Sequence, residues 1–159
     1  MQGASFQIHQ ATVRDAQTVV ELVQRLLAEL GGFQSFDVAT SVALCEQLLT
    51  SDRYTAFLAR GPQGEALGVL TLQECPALYV AGHLGWIQEL YVAPEARSWG
   101  VGRQLLLEAE AYGRQRQWHR LEVNTPDAAA WPRTVAFYQR EGFAGGALHL
   151  RKSLTEASG

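Results

Sequence analysis

The sequence predicts a mixed α/β (α+β) layer architecture, in the order β-αα-βββ-α-β-α-β(β), as one domain over residues 1–159. Two observations carry that prediction. The hydrophobic period switches along the chain, from helical spacing in the first fifty residues to strand-like runs between about residues 54 and 92, and then alternates. The composition is 47% hydrophobic and 18% charged over 159 residues, which suits one domain with a sizeable core and argues against a disordered chain.

Each element follows from local chemistry. "FQIHQAT" alternates enough for a first strand, and Thr12 with Asp15 three residues on forms a capping box. The helix it introduces puts Val19, Val23, Leu26, Leu27 and Leu30 on one face and stops at Gly31-Gly32. A second helix starts near Asp37, with Val38, Val42, Cys45 and Leu49 at helical spacing. "YTAFLAR", "EALGVLTLQE" and "GWIQELYV" read as strands, separated by the turn "GPQG" and a loop around "CPALYVAGH". A helix from about Val101 to Arg116 follows, then the strand "RLEVNT", the helix "AWPRTVAFYQRE" ended by Gly142, and a last strand or hairpin in "GFAGGALHLRKSL".

Charge and cysteine usage bound the function. The 13 basic and 16 acidic residues give a net charge of −3, which argues against a nucleic-acid partner. The start "MQGASFQIHQ" has neither the basic nor the apolar region of a secretory signal, and no apolar run is long enough for a membrane helix. Cys45 and Cys75 show no CxxC spacing and read as free thiols of a cytoplasmic protein. His9, His119 and His149 are scattered without metal-ligand spacing, so no metal is expected.

The segment "RSWGVG", Arg97 to Gly102, lies between the run Leu90-Tyr91-Val92 and a helix. A helix N-terminus preceded by glycines exposes N–H groups and the positive end of the dipole to an anion. The loop GxxxxGK[ST] fails here, because Arg103 and Gln104 follow Gly102. The dinucleotide pattern GxGxxG fails at its third glycine, where Leu105 stands, although Glu122 lies 20 residues beyond Gly102.

Arg97-x-x-Gly100-x-Gly102 after "ELYVAPEA" resembles the coenzyme A pyrophosphate loop of the GCN5-related N-acetyltransferases, the GNAT family. The resemblance extends to the two N-terminal helices and to "FYQREGF" at Phe137 to Phe143. It departs from the family pattern at Ser98, where many members have glycine, at the bulky Trp99, and at Trp131, which replaces a frequent asparagine.

The resemblance implies a mostly antiparallel sheet flanked by helices on both faces. It implies transfer of an acetyl group from acetyl-CoA to a primary amine in a ternary complex, without a metal or a covalent enzyme intermediate. Cofactor contacts then fall on Leu90, Tyr91 and Val92 of the splayed strand, on Arg97, Ser98, Trp99, Gly100, Val101, Gly102 and Arg103 of the loop, and on Asn124 after the next strand. Asn124 reads equally as a turn former before Thr125-Pro126. A backbone N–H near Tyr91 or Val92 is the expected oxyanion donor.

Tyr138 stands at the family's acid position, and its alternative is a core tyrosine beside Phe137. Glu89 resembles the base; it is that, or an edge charge or a structural partner for an arginine, and period-2 alternation puts it on the face of Ile87 and Tyr91. Tyr79 and His83 could edge an acceptor pocket or be solvated loop residues, and Asp37 with Glu89 would suit a cationic acceptor. The competing function is a non-catalytic acyl-CoA-binding regulatory domain. The reading leaves room for a homodimer.

Overall fold

The computed structural model describes residues 4–31, 37–145 and 150–155. Its contacts divide the chain into two compact units, Met1–Val123 and Asn124–Gly159.

The first unit carries a five-stranded sheet: β1 (Gln7–Gln10), β2 (Tyr54–Arg60), β3 (Ala66–Ala77), β4 (Gly82–Val92) and β5 (Leu121–Val123), in that spatial order. All neighbours pair antiparallel except β4 and β5, which are parallel. Two helices, α1 (Ala16–Leu30) and α2 (Val38–Thr50), separate β1 from β2, and α3 (Val101–Gln115) joins β4 to β5.

Local chemistry sets the helix ends. The capping box forms, with Thr12 N–H donating to Asp15 Oδ2 at 2.8 Å, but a short 3₁₀ turn at Val13–Asp15 precedes α1. Gly31 closes α1 with φ of 71°, a left-handed value that glycine adopts without Cβ strain. Asp37 caps α2, accepting the Thr40 N–H at 3.2 Å.

The two faces of the sheet are distinct. Val19, Val20 and Leu22 of α1 and Cys45 of α2 pack with Ala56, Leu58, Val69 and Tyr91. The opposite face receives α3, whose Leu105 and Ala109 are wholly buried. Gly68 lies under this helix: a Cβ there would meet Val101 and Leu105 at 3.1 and 3.3 Å and the Tyr91 carbonyl at 2.9 Å. Truncating a wholly buried leucine such as Leu58 or Leu70 to Ala costs about 2–5 kcal/mol.

The segment around "CPALYVAGH", expected as a loop, is mostly strand. β3 and β4 extend through Ala77 and from Gly82, and a 3₁₀ turn at Leu78–Val80 closes the hairpin. Opposite its far end, Arg116 and Trp118 donate to the Glu74 carboxylate and hold its pKa below the usual range, the Arg116 bond first. These bonds fix the α3–β5 turn beside β3.

The second unit contains α4 (Pro132–Arg140), with Pro132 at its first position, where the missing N–H costs nothing. Of the expected last strand, residues 143–145 and 150–155 are not strand, and 146–149, with His149, lie outside the described residues. No described helix is long and apolar enough to cross a membrane.

Candidate active site

The glycine junction is built as a tight strand-to-helix turn. Ala93 N–H donates to Leu67 O at 2.8 Å, a 3₁₀ turn at Pro94–Ala96 follows, and Trp99 N–H returns to Ala96 O at 3.1 Å. Gly100 then takes φ of 81° as the residue before α3, and a Cβ added to it would meet nothing within 4 Å. Backbone conformation, rather than crowding, is what requires glycine there. No side chain caps α3, and its first helical hydrogen bond runs from Gln104 N–H to Gly100 O at 3.1 Å. The N–H groups of Val101 and Gly102 precede that bond, at the positive end of the helix dipole. A cleft of about 480 Å³ opens beside the turn, lined by Phe6, Ile8, Trp99, Gly100, Arg103 and Gln104.

Arg97 is occupied within the protein. Its Nη2 lies 2.5 Å from Glu29 Oε1 of α1, its Nε donates to Val92 O at 3.0 Å, and its guanidinium sits 5.8 Å from the Tyr91 ring centre. This arginine braces the loop against α1.

Strand β4 contains the decisive irregularity. Thr71 pairs with Glu89 and Leu72 with Ile87, so Gln88 is an extra residue, a β-bulge. Cross-strand partners share a face and successive residues alternate. Gly68, Leu70 and Leu72 therefore face α3, whereas Val69 and Thr71 face α1 and α2. Ile87 goes with the first group, and Glu89 and Tyr91 with the second. The expectation that Ile87, Glu89 and Tyr91 share a face is corrected: the bulge turns the strand over between Ile87 and Glu89.

Glu89 is half-buried and hydrogen-bonded to Thr71 at two points. Its N–H donates to Thr71 Oγ1 at 3.0 Å, and the Thr71 hydroxyl donates to its Oε2. Burial pushes its carboxyl pKa up, and the Thr71 bond pulls it partly back. No arginine bonds to Glu89 among the described residues. The Cys45 thiol, pushed up to about 11 by burial and then by Glu89, lies on the same side.

Beyond the bulge, β4 leaves β5. Their pairing comprises Gly85↔Leu121, Trp86↔Glu122 and Ile87↔Val123, and ends there. Because Ala93 N–H bonds to β3, alternation turns Tyr91 N–H to β3 as well and Val92 N–H to the opposite edge. The Val92 carbonyl, which accepts from Arg97, lies on that same edge. Of the two expected donors, Val92 is the one the strand presents.

In the second unit Tyr138 lies on α4 and is buried, with its ring edge-on to Phe137 at 5.3 Å and to Phe143 at 5.4 Å. Burial pushes its phenol up to about 12. Asn124 is exposed, directly after β5. Trp131 precedes the first turn of α4.

Within the first unit, Tyr79, His83 and Asp37 are not brought to this end of β4. Tyr79 and His83 lie at the hairpin tip, where Tyr79 donates to Glu122 at 2.8 Å and stacks under Arg120. The Asp37 carboxylate is used as a helix cap, and its Thr40 bonds lower its pKa. Thr71 was missed by the sequence reading; its one signal was a hydroxyl within the apolar run "GVLTL".

Residues 20–143 match the Acetyltransferase (GNAT) family. The chain belongs to that family. An aminoalkylphosphonate N-acetyltransferase of Salmonella typhimurium is 30% identical over 152 residues, covering 93% of this chain and 91% of that protein. An aminoglycoside N-acetyltransferase, AAC(6')-Iy, in complex with CoA, superposes with a TM-score of 0.79 at 17% identity, over 97% of this chain and 98% of the other. A predicted acetyltransferase of Clostridium acetobutylicum with acetyl-CoA gives a TM-score of 0.80 at 16% identity, over 94% and 97%. These likenesses place the GNAT fold and acyl-CoA-dependent N-acetyltransferase chemistry on this chain.

Proposed function

We propose that residues 1–159 act as one catalytic domain that moves an acetyl group from acetyl-CoA to a primary amine of a small molecule or peptide. The amine attacks directly in a ternary complex. The observation that carries this reading is the glycine turn: an uncapped helix N-terminus at the end of a strand whose outer edge is released from its neighbour. That arrangement offers N–H groups to a pyrophosphate at the turn and, next to it, a strand edge for an amide-bearing arm.

Residues 97–103 hold the pyrophosphate chiefly through backbone, with Arg97 bracing the turn it stands in. Leu90, Tyr91 and Val92 take the pantetheine arm along the free edge, with Asn124 opposite them in role. Val92 N–H is the donor to charge developing on the thioester oxygen, a task that a fixed backbone dipole performs without reorganisation. Glu89 accepts the proton of the incoming ammonium; burial raises its pKa toward the working pH, which improves a general base. Tyr138, neutral because burial holds its pKa near 12, donates to the departing thiolate.

Aminoalkylphosphonates are the first acceptors to try, given the Salmonella relative, with aminoglycosides next. Cys45 and Cys75 are free thiols, which suits action in a reducing cytoplasm. The test is release of free coenzyme A thiol from acetyl-CoA over a panel of aminoalkylphosphonates, aminoglycosides and peptides, with mass spectrometry of the amine. Amine-dependent release is expected. Tight acetyl-CoA binding with no acetylated product from any amine would favour a regulatory acyl-CoA-binding domain instead.

A further inference from the structure

We infer that Thr71 is a positioning residue for the reaction, fixing the orientation and ionisation of the Glu89 carboxylate through two hydrogen bonds made across the bulge. The inference rests on Glu89 being the base, as proposed above, and goes beyond it by naming what sets that base.

The geometry is unusual for a strand pair. Thr71 is wholly buried on β3, directly opposite Glu89. At this position, beside the register shift, the Thr71 side chain bonds Glu89 at both its backbone and its carboxylate. Oγ1 accepts the Glu89 N–H at 3.0 Å while its own proton goes to Glu89 Oε2. One hydroxyl has one proton to give, and here it is committed to the carboxylate. The same oxygen thus grips Glu89 at its backbone and at its functional end, so the bulge and the carboxylate orientation are one device.

The surroundings make that bond matter. On this face Cys45 from α2 and Tyr54 from β2 feel the Glu89 charge: burial first and Glu89 next push both to higher pKa, and a Thr71 hydrogen bond pulls Tyr54 partly back. Both stay neutral across the working range and supply no positive charge to hold the carboxylate. From α1, Glu29 and Arg25 face Tyr91, as do Arg97 and Glu95 of the turn. Thr71 is the group that opposes the desolvation of Glu89. Removing it leaves a half-buried carboxylate facing a thiol and a phenol.

The experiment is the pH profile of kcat/KM for acetyl transfer in the wild type, Thr71→Val, Thr71→Ser, Glu89→Gln and the Thr71→Val/Glu89→Gln double variant. Valine keeps the shape and removes both bonds; serine keeps the hydroxyl and loses a methyl. The acidic limb that Glu89→Gln removes should move to higher pH in Thr71→Val, with the rate on that limb down roughly tenfold, the effect of one hydrogen bond to a charged group. Thr71→Ser should track the wild type, and Thr71→Val should add nothing once Glu89 is Gln. If valine fails to fold, Thr71→Cys, whose thiol is a weak donor, carries the same readout.

An equal fall at every pH, an unmoved limb, a serine variant as impaired as valine, or additive effects in the double variant would each overturn the positioning role while leaving Glu89 as base. An unchanged profile in Glu89→Gln would instead refute Glu89 as the base, and the positioning role with it.

Discussion

Replacing Tyr138 with Phe tests the proposed acid with little disturbance to folding. The ring is packed edge-on between Phe137 and Phe143, and phenylalanine keeps both contacts. Within its own unit the hydroxyl has no hydrogen-bond partner among the described residues, so its removal strands no buried group. Stability should therefore change by less than about 0.5 kcal/mol, or roughly 1–2 °C in Tm for a chain of this size. The rate should fall by about 10², the lower end for a positioned general acid, which corresponds to about 2.7 kcal/mol of barrier. Acetyl-CoA affinity should hold, because the lost proton matters only as the thiolate departs. With its pKa near 12, the phenol also places no basic limb on the rate profile below about pH 10. Thiol-release kinetics, calorimetric titration and a thermal melt on one preparation settle the matter. A rate loss of only a few-fold would assign the proton to solvent; a Tm loss of many degrees would make Tyr138 a structural tyrosine.

Three further outcomes follow from the first unit. Gly100→Ala should cost about 1–2 kcal/mol, the strain of a left-handed backbone with no clash to add, and Gly100→Asn less; equal melts for both variants would refute the strain argument. Acetyl-CoA should raise Tm by mass action, whereas NAD or ATP at the same millimolar concentration should do much less; a larger shift with NAD would point back to a dinucleotide site. Glu89→Gln should stabilise the fold above neutral pH and not near pH 4. The raised folded pKa makes the protonated carboxyl the favoured form, so stability is full below the unfolded value and falls as pH rises through the folded one. A Tm difference independent of pH would contradict that sign.

The fold was legible where a single local rule decided the element. Thr12 and Asp15 made the capping box, Gly31 the helix stop, and Asp37 the next cap, and each occupies that role. The β2 strand falls on "YTAFLAR" residue for residue. Legibility failed where pairing partners decide. Cys75 and Pro76 read as loop because proline and small residues follow, yet both are paired in the hairpin, with Leu84 and His83. Arg97 shows the same limit within a motif. Its spacing to Gly100 and Gly102 located the turn correctly, but its partners, Glu29 from α1 and the Val92 carbonyl, could not be read from sequence.

The bulge at Gln88 explains why the candidate site was only half visible. A strand without it would keep Ile87, Glu89 and Tyr91 on one face, and Ile87 faces α3. Glu89 would then project toward the apolar layer of Leu105 and Leu106, where an ionised carboxylate is costly. One inserted residue lets β4 serve both cores: Ile87 fills the α3 side, while Tyr91 fills the α1/α2 side. The run Leu90-Tyr91-Val92 is continuously apolar and carries no phase, so sequence alternation cannot report where the strand turns over. The parallel pairing with β5 also ends at the residue before the bulge, at Ile87. The same irregularity thus presents the carboxylate to one face and precedes the release of the strand edge that carries Val92 N–H. Glu89 and the Val92 N–H, the base and the oxyanion donor proposed above, are three residues apart on one strand, and both positions pair with β3, Glu89 through Thr71.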